Sequence, residues 1–331
     1  MTPLATRIVY GSDGVAIHVY HEMPPTSAAV SPAVGAASHA APIPVVWSHA
    51  TGFHGRVWDA AISALAAIAP ARVTSTTFDY RGHGDTPAPA VWTVDWDGYG
   101  DDAECVARDA CERAGRPVIG VGHSMGGAGL IMAALRDPTR FAALVVCEPI
   151  VFPPEVREAA RGDAESRRDG GASSRGDNPL SAGARRRRTE FMSAEEAIAN
   201  FSSKPPLASL DPRVLADYVA HGFAPADRAA AADAPAPIAG PVVLKCAPEL
   251  EARTYEMGAR HDTWEALGRL TVPTWVVAGA VEPMRPSSFA RRIAERIPGS
   301  TYVEWPDLGH FAPLEDPTRI ARLVADVASR I

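Results

Sequence analysis

Short apolar runs alternate along this chain with longer segments of helical periodicity, and this alternation restricts the fold more than any other sequence feature. Runs of this kind, rich in β-branched residues, are typical of strands that helices cover on both faces. The segments between them supply the crossovers that parallel neighbouring strands require. The pattern predicts an α/β protein with a mostly parallel sheet. The predicted strands are residues 7–10, 15–20, 45–48, 72–78, 118–121, 142–147, 274–278 and 301–304, and the predicted helices between them are 57–69, 97–114, 125–136, 287–297 and 317–329.

The alternation stops after the sixth strand and resumes only at the seventh. We therefore predict a core domain formed by residues 1–150 and 271–331, with a mostly helical second unit, residues 151–270, inserted between these strands. Within the insertion, residues 161–188 are polar, Gly-rich and charged, a composition that predicts a mobile loop. Helix-compatible spacing follows at 194–201, 212–221 and 254–267.

Charge and cysteine content exclude several classes of protein. A formal net charge of −7 leaves no general basic surface for a nucleic acid, and the basic run 185–188 is interpreted as the start of a solvated helix. No stretch approaches the ~18 apolar residues of a membrane span, and the N-terminal residues lack a signal-peptide pattern. The 4 cysteines have no CxxC spacing and are too few for a disulfide scaffold. We expect a cytoplasmic protein with a small-molecule substrate, no nucleic-acid partner and no membrane span; the sequence does not indicate its oligomeric state.

The most informative motif is Gly122-His123-Ser124-Met125-Gly126, which follows a predicted strand and opens a predicted helix. A serine in such a G-x-S-x-G motif occupies a sharp strand-to-helix turn that only small flanking residues allow, and its hydroxyl projects above the sheet. The next N–H group, that of Met125, faces the same site from the helix N-terminus and favours developing negative charge. Because strand, turn and helix coincide, the motif indicates a nucleophile rather than an incidental serine.

Three further segments give the chain a resemblance to the capped serine hydrolases of the α/β-hydrolase superfamily, including its esterases and lipases. Residues 48–54 resemble an oxyanion loop of the HGxG type, with Ala50 in place of the first glycine. Residues 79–86 resemble the D-x-R-G-x-G-x-S turn after the fourth strand, and residues 308–311 match the position of the catalytic histidine. The resemblance implies an α/β-hydrolase fold, with a mostly parallel eight-stranded sheet flanked by helices and an inserted helical cap.

The resemblance also implies a catalytic triad and an oxyanion hole. Ser124 would attack a carbonyl, and His310 would take its proton, because a serine hydroxyl is hardly ionised at neutral pH. The backbone N–H groups of Met125 and Thr51 would hold the oxyanion.

The histidines near this site are interpreted as neighbours rather than as bases or metal ligands. We expect His49, Phe53 and His123 to line the substrate side, with His54 packing beside them. A zinc site needs converging ligands in a defined geometry, which residues on one loop do not supply. We therefore expect no metal and no cofactor.

The acid of the triad has two candidates in the sequence. Glu282 follows the seventh strand, the usual position in the superfamily, whereas Glu148 follows the sixth strand, where a minority of capped relatives keep the acid. Either carboxylate could orient His310 and stabilise its imidazolium form. We favour Glu148 and keep Glu282 as the alternative.

Together these residues predict a serine hydrolase that cleaves a carboxylic ester, a lactone or a thioester through an acyl-enzyme on Ser124. A serine nucleophile disfavours epoxide hydrolysis and haloalkane dehalogenation, which proceed through an alkyl-enzyme ester on a carboxylate. Two alternatives remain because one fold hosts several functions. One is a carbon–carbon bond hydrolase that acts on a diketone, and the other is a non-catalytic receptor for a small ligand.

Overall fold

A computed structural model describes residues 4–22, 41–69, 72–160, 178–227 and 240–331. Its strands, in chain order, are β1 (Leu4–Tyr10), β2 (Ala16–Glu22), β3 (Ile43–Ser48), β4 (Val73–Phe78), β5 (Val118–His123), β6 (Phe141–Cys147), β7 (Glu190–Phe191), β8 (Phe223–Pro225), β9 (Val242–Leu244), β10 (Thr274–Ala278) and β11 (Thr301–Glu304).

Eight of these strands form one sheet in the order β1-β2-β4-β3-β5-β6-β10-β11. Strand β2 runs antiparallel to β1 and β4, and the other neighbouring pairs are parallel. This arrangement confirms the predicted mostly parallel sheet. The parallel strands end at one edge of the sheet, so the loops that follow β3, β5, β6 and β10 meet there.

Helices cover both faces of this sheet. The helices of the described residues, including those of the insertion, are α1 (Asp59–Ile68), α2 (Trp96–Ala114), α3 (Met125–Arg136), α4 (described residues 154–160), α5 (Pro179–Arg185), α6 (Ala194–Ser202), α7 (Pro212–Gly222), α8 (Pro248–Met257), α9 (Thr263–Ala266), α10 (Ser287–Arg296), α11 (Ala312–Glu315) and α12 (Pro317–Ala328). Helices α1 and α12 pack on one face, and α2, α3 and α10 on the other. In the described part of the chain, no helix is both long and apolar enough to cross a membrane.

The central strands are buried on both sides because their residues alternate between the two cores. In β3, for example, Val45 and Trp47 pack in the core beneath α1, whereas Val46 packs in the core beneath α3. A strand covered in this way needs apolar residues at successive positions, which explains why these runs are visible in the sequence.

The insertion contains one feature that the sequence did not predict, a small antiparallel sheet in the order β7-β9-β8. Its strands have two or three residues, too few to establish a period of two. The predicted helix over residues 254–267 is also wrong as a single element, because α8 ends at Met257 and α9 begins at Thr263. Gly258 follows α8 and lies close to the Trp96 ring, where a Cβ atom would be 3.1 Å from Cζ2.

Part of the loop predicted over residues 161–188 is helical. The Asn178 side chain accepts a hydrogen bond from the Leu180 N–H group, and Pro179 occupies the first turn, so α5 begins with a cap and a proline. The Ser181 hydroxyl donates to Ala252 O at 3.1 Å, which anchors α5 on α8. Residues 161–177 lie outside the described residues, and the domain boundaries remain a prediction.

Candidate active site

Ser124 occupies the sharp turn between β5 and α3. Its backbone angles, φ 54° and ψ −115°, lie in a region that costs a non-glycine residue about 1–3 kcal/mol. Three backbone hydrogen bonds hold the strained residue. Its N–H group donates to Cys147 O at 2.9 Å, and its carbonyl accepts from the N–H groups of Ala128 at 3.1 Å and Ile150 at 3.2 Å. Ser124 as a whole is 7% exposed, so a small molecule that reaches it is largely shielded from water.

The two glycines of the motif allow the turn and bring the oxyanion loop against it. A Cβ atom on Gly122 would lie 2.7 Å from Gly126 O, inside the turn itself. A Cβ atom on Gly126 would lie 2.4 Å from Ser48 O and 2.5 Å from His49 O. The loop that follows β3 therefore packs directly on the first turn of α3, the turn that carries the Met125 N–H group.

Glu148 lies at the end of β6, and its carboxylate contacts His310. The Oε2 atom accepts a hydrogen bond from His310 Nδ1 at 2.5 Å, and Oε1 accepts from the Gly279 N–H group at 2.9 Å. The residue has φ 43° and is 1% exposed. Both oxygen atoms are thus engaged, so the carboxylate is fixed in orientation and removed from water.

Glu282 is placed differently. Its side chain is 62% exposed, and its carboxylate lies 3.7 Å from the guanidinium of Arg285. Its backbone N–H group donates to the Ser287 hydroxyl at 3.1 Å. The structure therefore brings Glu148, and not Glu282, into contact with His310.

His123 joins the serine turn to the loop that carries His310. Its Nε2–H group donates to His310 O at 2.9 Å, and the two rings have centroids 4.9 Å apart. Burial lowers the pKa of His123 well below its ordinary value, so the ring is neutral and keeps this hydrogen bond at neutral pH. Since His123 directly precedes Ser124, the contact links the candidate base to the candidate nucleophile.

The other predicted neighbours support the oxyanion loop. His49 is fully buried; its Nδ1–H group donates to Ala50 O at 2.8 Å, and its Nε2 atom accepts from the Tyr80 N–H group at 3.0 Å. Phe53 is 6% exposed, and its ring packs against Phe311 with centroids 5.5 Å apart. Both ring nitrogens of His49 are engaged by backbone groups, and a role of this residue in binding substrate remains a prediction.

Sequence reasoning missed Glu251, a glutamate of α8 that is 2% exposed. Its carboxylate lies against Gly52 in the oxyanion loop. The charged sequence around it indicates a solvated helix, and no local signal in the sequence reveals that one of its glutamates faces inward.

One group in the described ranges has donor atoms arranged for a metal ion: Asp59 of α1 with Asp217 and His221 of α7, all within 4.8 Å of one another. The Arg56 guanidinium already pairs with both oxygen atoms of Asp59, its Nε lying 3.1 and 2.8 Å away. This arginine supplies the positive charge that a metal would otherwise bring. The group shares no residue with the Ser124, His310 and Glu148 set.

Comparisons with known proteins bear on the family and the fold of this chain. A family model described as "Alpha/beta hydrolase family" matches residues 45–323. Lipase LipV of Mycobacterium tuberculosis (strain ATCC 25618 / H37Rv) is 34% identical over 110 residues, which cover 33% of this chain and only 38% of the lipase.

Two solved structures illustrate the similarity in fold. An E-2-(acetamidomethylene)succinate hydrolase superposes with a TM-score of 0.71 at 17% identity, over 99% of this chain and 100% of that one. The esterase RhEst1 from Rhodococcus sp. ECU1013 does so with a TM-score of 0.62 at 18% identity, over 99% of both chains. Identities this low establish the fold alone. The family model, however, spans the sheet from β3 to β11 together with the serine turn and the His310 loop, and the chain therefore belongs to the alpha/beta hydrolase family.

Proposed function

We propose that this protein is a serine hydrolase that cleaves a carboxylic ester, a lactone or a thioester through an acyl-enzyme on Ser124. The observation that carries the proposal is the 2.5 Å contact between His310 Nδ1 and the buried Glu148 carboxylate, beside the strained turn that presents Ser124. A buried carboxylate that orients an imidazole next to a serine is the arrangement that activates a hydroxyl for acyl transfer.

The proposed reaction assigns one task to each group. With its Nδ1–H group bound to Glu148, the His310 ring has its Nε2 free to take the proton as Ser124 Oγ attacks the carbonyl carbon. The N–H groups of Met125 and Thr51 stabilise the oxyanion. Collapse of the tetrahedral intermediate expels the alcohol or thiol, which receives the proton from His310. Water then attacks the acyl-enzyme with His310 again as base, and as the bond from the acyl carbon to Ser124 Oγ breaks, His310 returns the proton to Oγ and the carboxylic acid leaves.

The comparisons support the reaction class. The relatives described above are named as a lipase, an esterase and a hydrolase of a succinate derivative. Their substrates do not transfer to this chain at such identities, and the choice among ester, lactone and thioester rests on experiment.

The test combines covalent labelling with a substrate panel. We expect a fluorophosphonate to add to Ser124, identified by peptide mass spectrometry, and the wild-type protein to hydrolyse at least one member of a panel of aryl esters, alkyl esters, lactones and thioesters. Ser124→Ala should lose the label and at least about three orders of magnitude of activity, because it deletes the nucleophile while the turn keeps a small residue.

Labelling at another serine, or unchanged hydrolysis by Ser124→Ala, would contradict the proposal. Cleavage of a diketone with no ester turnover would move the protein to the carbon–carbon bond hydrolases. Tight binding of a small apolar ligand with no turnover on any panel member would identify a receptor.

A further inference from the structure

A largely buried ion pair joins Glu251 of α8 to Arg187, in the segment that follows α5, and lies against the oxyanion loop. The Glu251 Oε2 atom lies 3.0 Å from Arg187 Nη1, and the same Nη1 donates to the Tyr218 hydroxyl at 3.2 Å. The Tyr255 hydroxyl donates to Glu251 Oε1 at 3.2 Å. Arg187 belongs to the basic run that the sequence predicts to be solvated, yet only 22% of its side chain is exposed. Desolvation of two charges offsets much of the attraction between them, so a gain in stability does not by itself account for this ion pair.

The Glu251 carboxylate lies flat against Gly52. A Cβ atom on Gly52 would lie 2.8 Å from Oε1, 2.9 Å from Cδ and 3.3 Å from Oε2. Gly52 has φ 78°, a conformation that glycine adopts without the penalty of other residues. A larger residue would therefore meet both backbone strain and the carboxylate, so this contact requires glycine for two independent reasons.

Gly52 follows Thr51, whose N–H group is a proposed oxyanion donor. On its other side the loop packs on α3, where Gly126 lies against Ser48 O and His49 O. The segment that carries the Thr51 N–H group is thus held between α3 of the core and Glu251 of the insertion. An oxyanion hole stabilises a transition state because its donors are fixed before the reaction begins, so a group that fixes the loop affects turnover.

We infer that Glu251, held by Arg187, is a positioning residue that fixes the oxyanion loop from the insertion, and that Arg187 also neutralises a carboxylate that would otherwise oppose the oxyanion. The inference rests on the proposed function. It assigns the insertion a part in stabilising the transition state, beyond shaping the substrate pocket.

Two substitutions at Glu251 distinguish the effect of its contact with Gly52 from the effect of its charge. Glu251→Ala removes the side chain that touches Gly52, so we expect kcat to fall by about ten-fold to a hundred-fold, while KM changes less than about two-fold. This loss is smaller than the roughly hundred-fold to thousand-fold loss when an oxyanion donor is deleted, because the Thr51 N–H group remains and only its position is less fixed. Affinity for a boronic acid that mimics the tetrahedral intermediate should fall in parallel with kcat. Glu251→Gln keeps the shape against Gly52 and should retain most of the activity.

Arg187→Met removes the cation that pairs with the Glu251 carboxylate next to the loop. We expect a larger loss of kcat than in Glu251→Ala, and recovery to nearly the level of Glu251→Gln in the double variant Arg187→Met/Glu251→Gln. If the ion pair served only to stabilise the fold, kcat per active site would not recover in the double variant. Fluorophosphonate titration counts the competent sites in each preparation, so partial unfolding does not enter the rate constants.

A matched control is the exposed pair formed by Arg185, the last residue of α5, and Glu249 of α8, whose Nε and Oε2 atoms are 2.8 Å apart. Arg185→Met and Glu249→Ala should leave kcat and boronate affinity unchanged. The inference would be overturned if Glu251→Ala had the same kcat and the same boronate affinity as the wild type. It would also be overturned if the double variant were no more active than Arg187→Met. If Glu251→Ala does not fold, the comparison of Arg187→Met with the double variant decides. A wild-type protein that fluorophosphonate does not label at Ser124 refutes the proposed function itself, which distinguishes the two failures.

Discussion

Glu148 differs from Glu282 in its surroundings more than in its chemistry. Glu148 has both oxygen atoms bonded, one to His310 and one to the Gly279 N–H group, whereas the Glu282 side chain is mostly exposed. A fixed, buried carboxylate can hold an imidazole in one tautomer and stabilise its charged form, and a mobile exposed one contributes little to either.

We therefore expect Glu148→Gln to lower kcat by up to ~10⁴-fold, because the amide keeps the shape but loses the charge and permits the wrong imidazole tautomer. Glu282→Gln, with a mostly exposed side chain, should cost about ten-fold or less. Steady-state kinetics on the best ester of the panel, with circular dichroism to verify folding, measures both. The reverse ranking would move the acid to Glu282, and normal activity in the double variant would mean that neither glutamate serves.

Single residues were predictable from the sequence where local motifs mark them. Ser124 lies in a strand-turn-helix motif and His310 in a short segment after the last strand, so each could be named without knowledge of distant contacts. The sequence favoured Glu148 over Glu282 only through resemblance to capped relatives, because β6 and β10 are parallel neighbours and their loops leave the sheet at the same edge. Which carboxylate reaches His310 depends on the path of each loop, and the φ of 43° at Glu148 has no sequence signature.

At the scale of elements, the first turn of α3 contains the Met125 N–H group, the proposed oxyanion donor. This turn is packed too tightly for a side chain at Gly126. In Gly126→Ala the new methyl group would meet two backbone oxygen atoms at 2.4 and 2.5 Å, so the oxyanion loop must move. We expect a loss of about 1–3 kcal/mol in the free energy of unfolding, together with most of the activity.

Gly183→Ala is the control for this substitution. Gly183 lies inside α5, and a Cβ atom there meets nothing within 4 Å. Alanine should stabilise that helix by about 0.5–1 kcal/mol and leave activity intact. Urea unfolding measures both variants, and equal stability of Gly126→Ala and the wild type would show that the loop is not packed as described.

The core elements were easier to predict than those of the insertion for a physical reason. A strand such as β5 is buried on both faces, so its residues must be apolar or small at every position. Helix α5 and strands β7 to β9 are short and are stabilised by contacts to distant segments, such as the bond from Ser181 to α8. Their local sequence has too few residues for a period to emerge, and the capping pair Asn178-Pro179 is the signal that could have identified α5.

For the molecule as a whole, the junction between core and insertion contains two carboxylates in close proximity. Burial and the nearby Asp59 raise the pKa of Asp217 to about 7. An aspartate in an unfolded chain titrates near ~3.9, so between these values the folded protein holds a proton that the unfolded chain releases. Stability contributed by this group therefore falls as the pH rises from about 4 to 7.

Asp217→Asn removes the pH dependence of stability that the titration of this carboxylate causes. The melting temperature of the variant should exceed that of the wild type at pH 8, and the difference should shrink as the pH is lowered towards 4. Asp326→Asn, an exposed position on α12, should show no such trend. Melting curves measured across this range check the prediction, and parallel pH profiles for Asp217→Asn and the wild type would contradict it.

Glu148 also marks the place where the chain leaves the sheet, since the residues that follow it lead into the insertion. Its backbone N–H group is bonded to Val277 O of the neighbouring strand, so the last residue held by the sheet is the one that touches His310. Anyone who builds chimeras by exchanging the insertion with that of a relative must place the splice after this residue. A junction one or two positions earlier would replace the carboxylate together with the graft and deprive the imidazole of its partner in an otherwise intact scaffold.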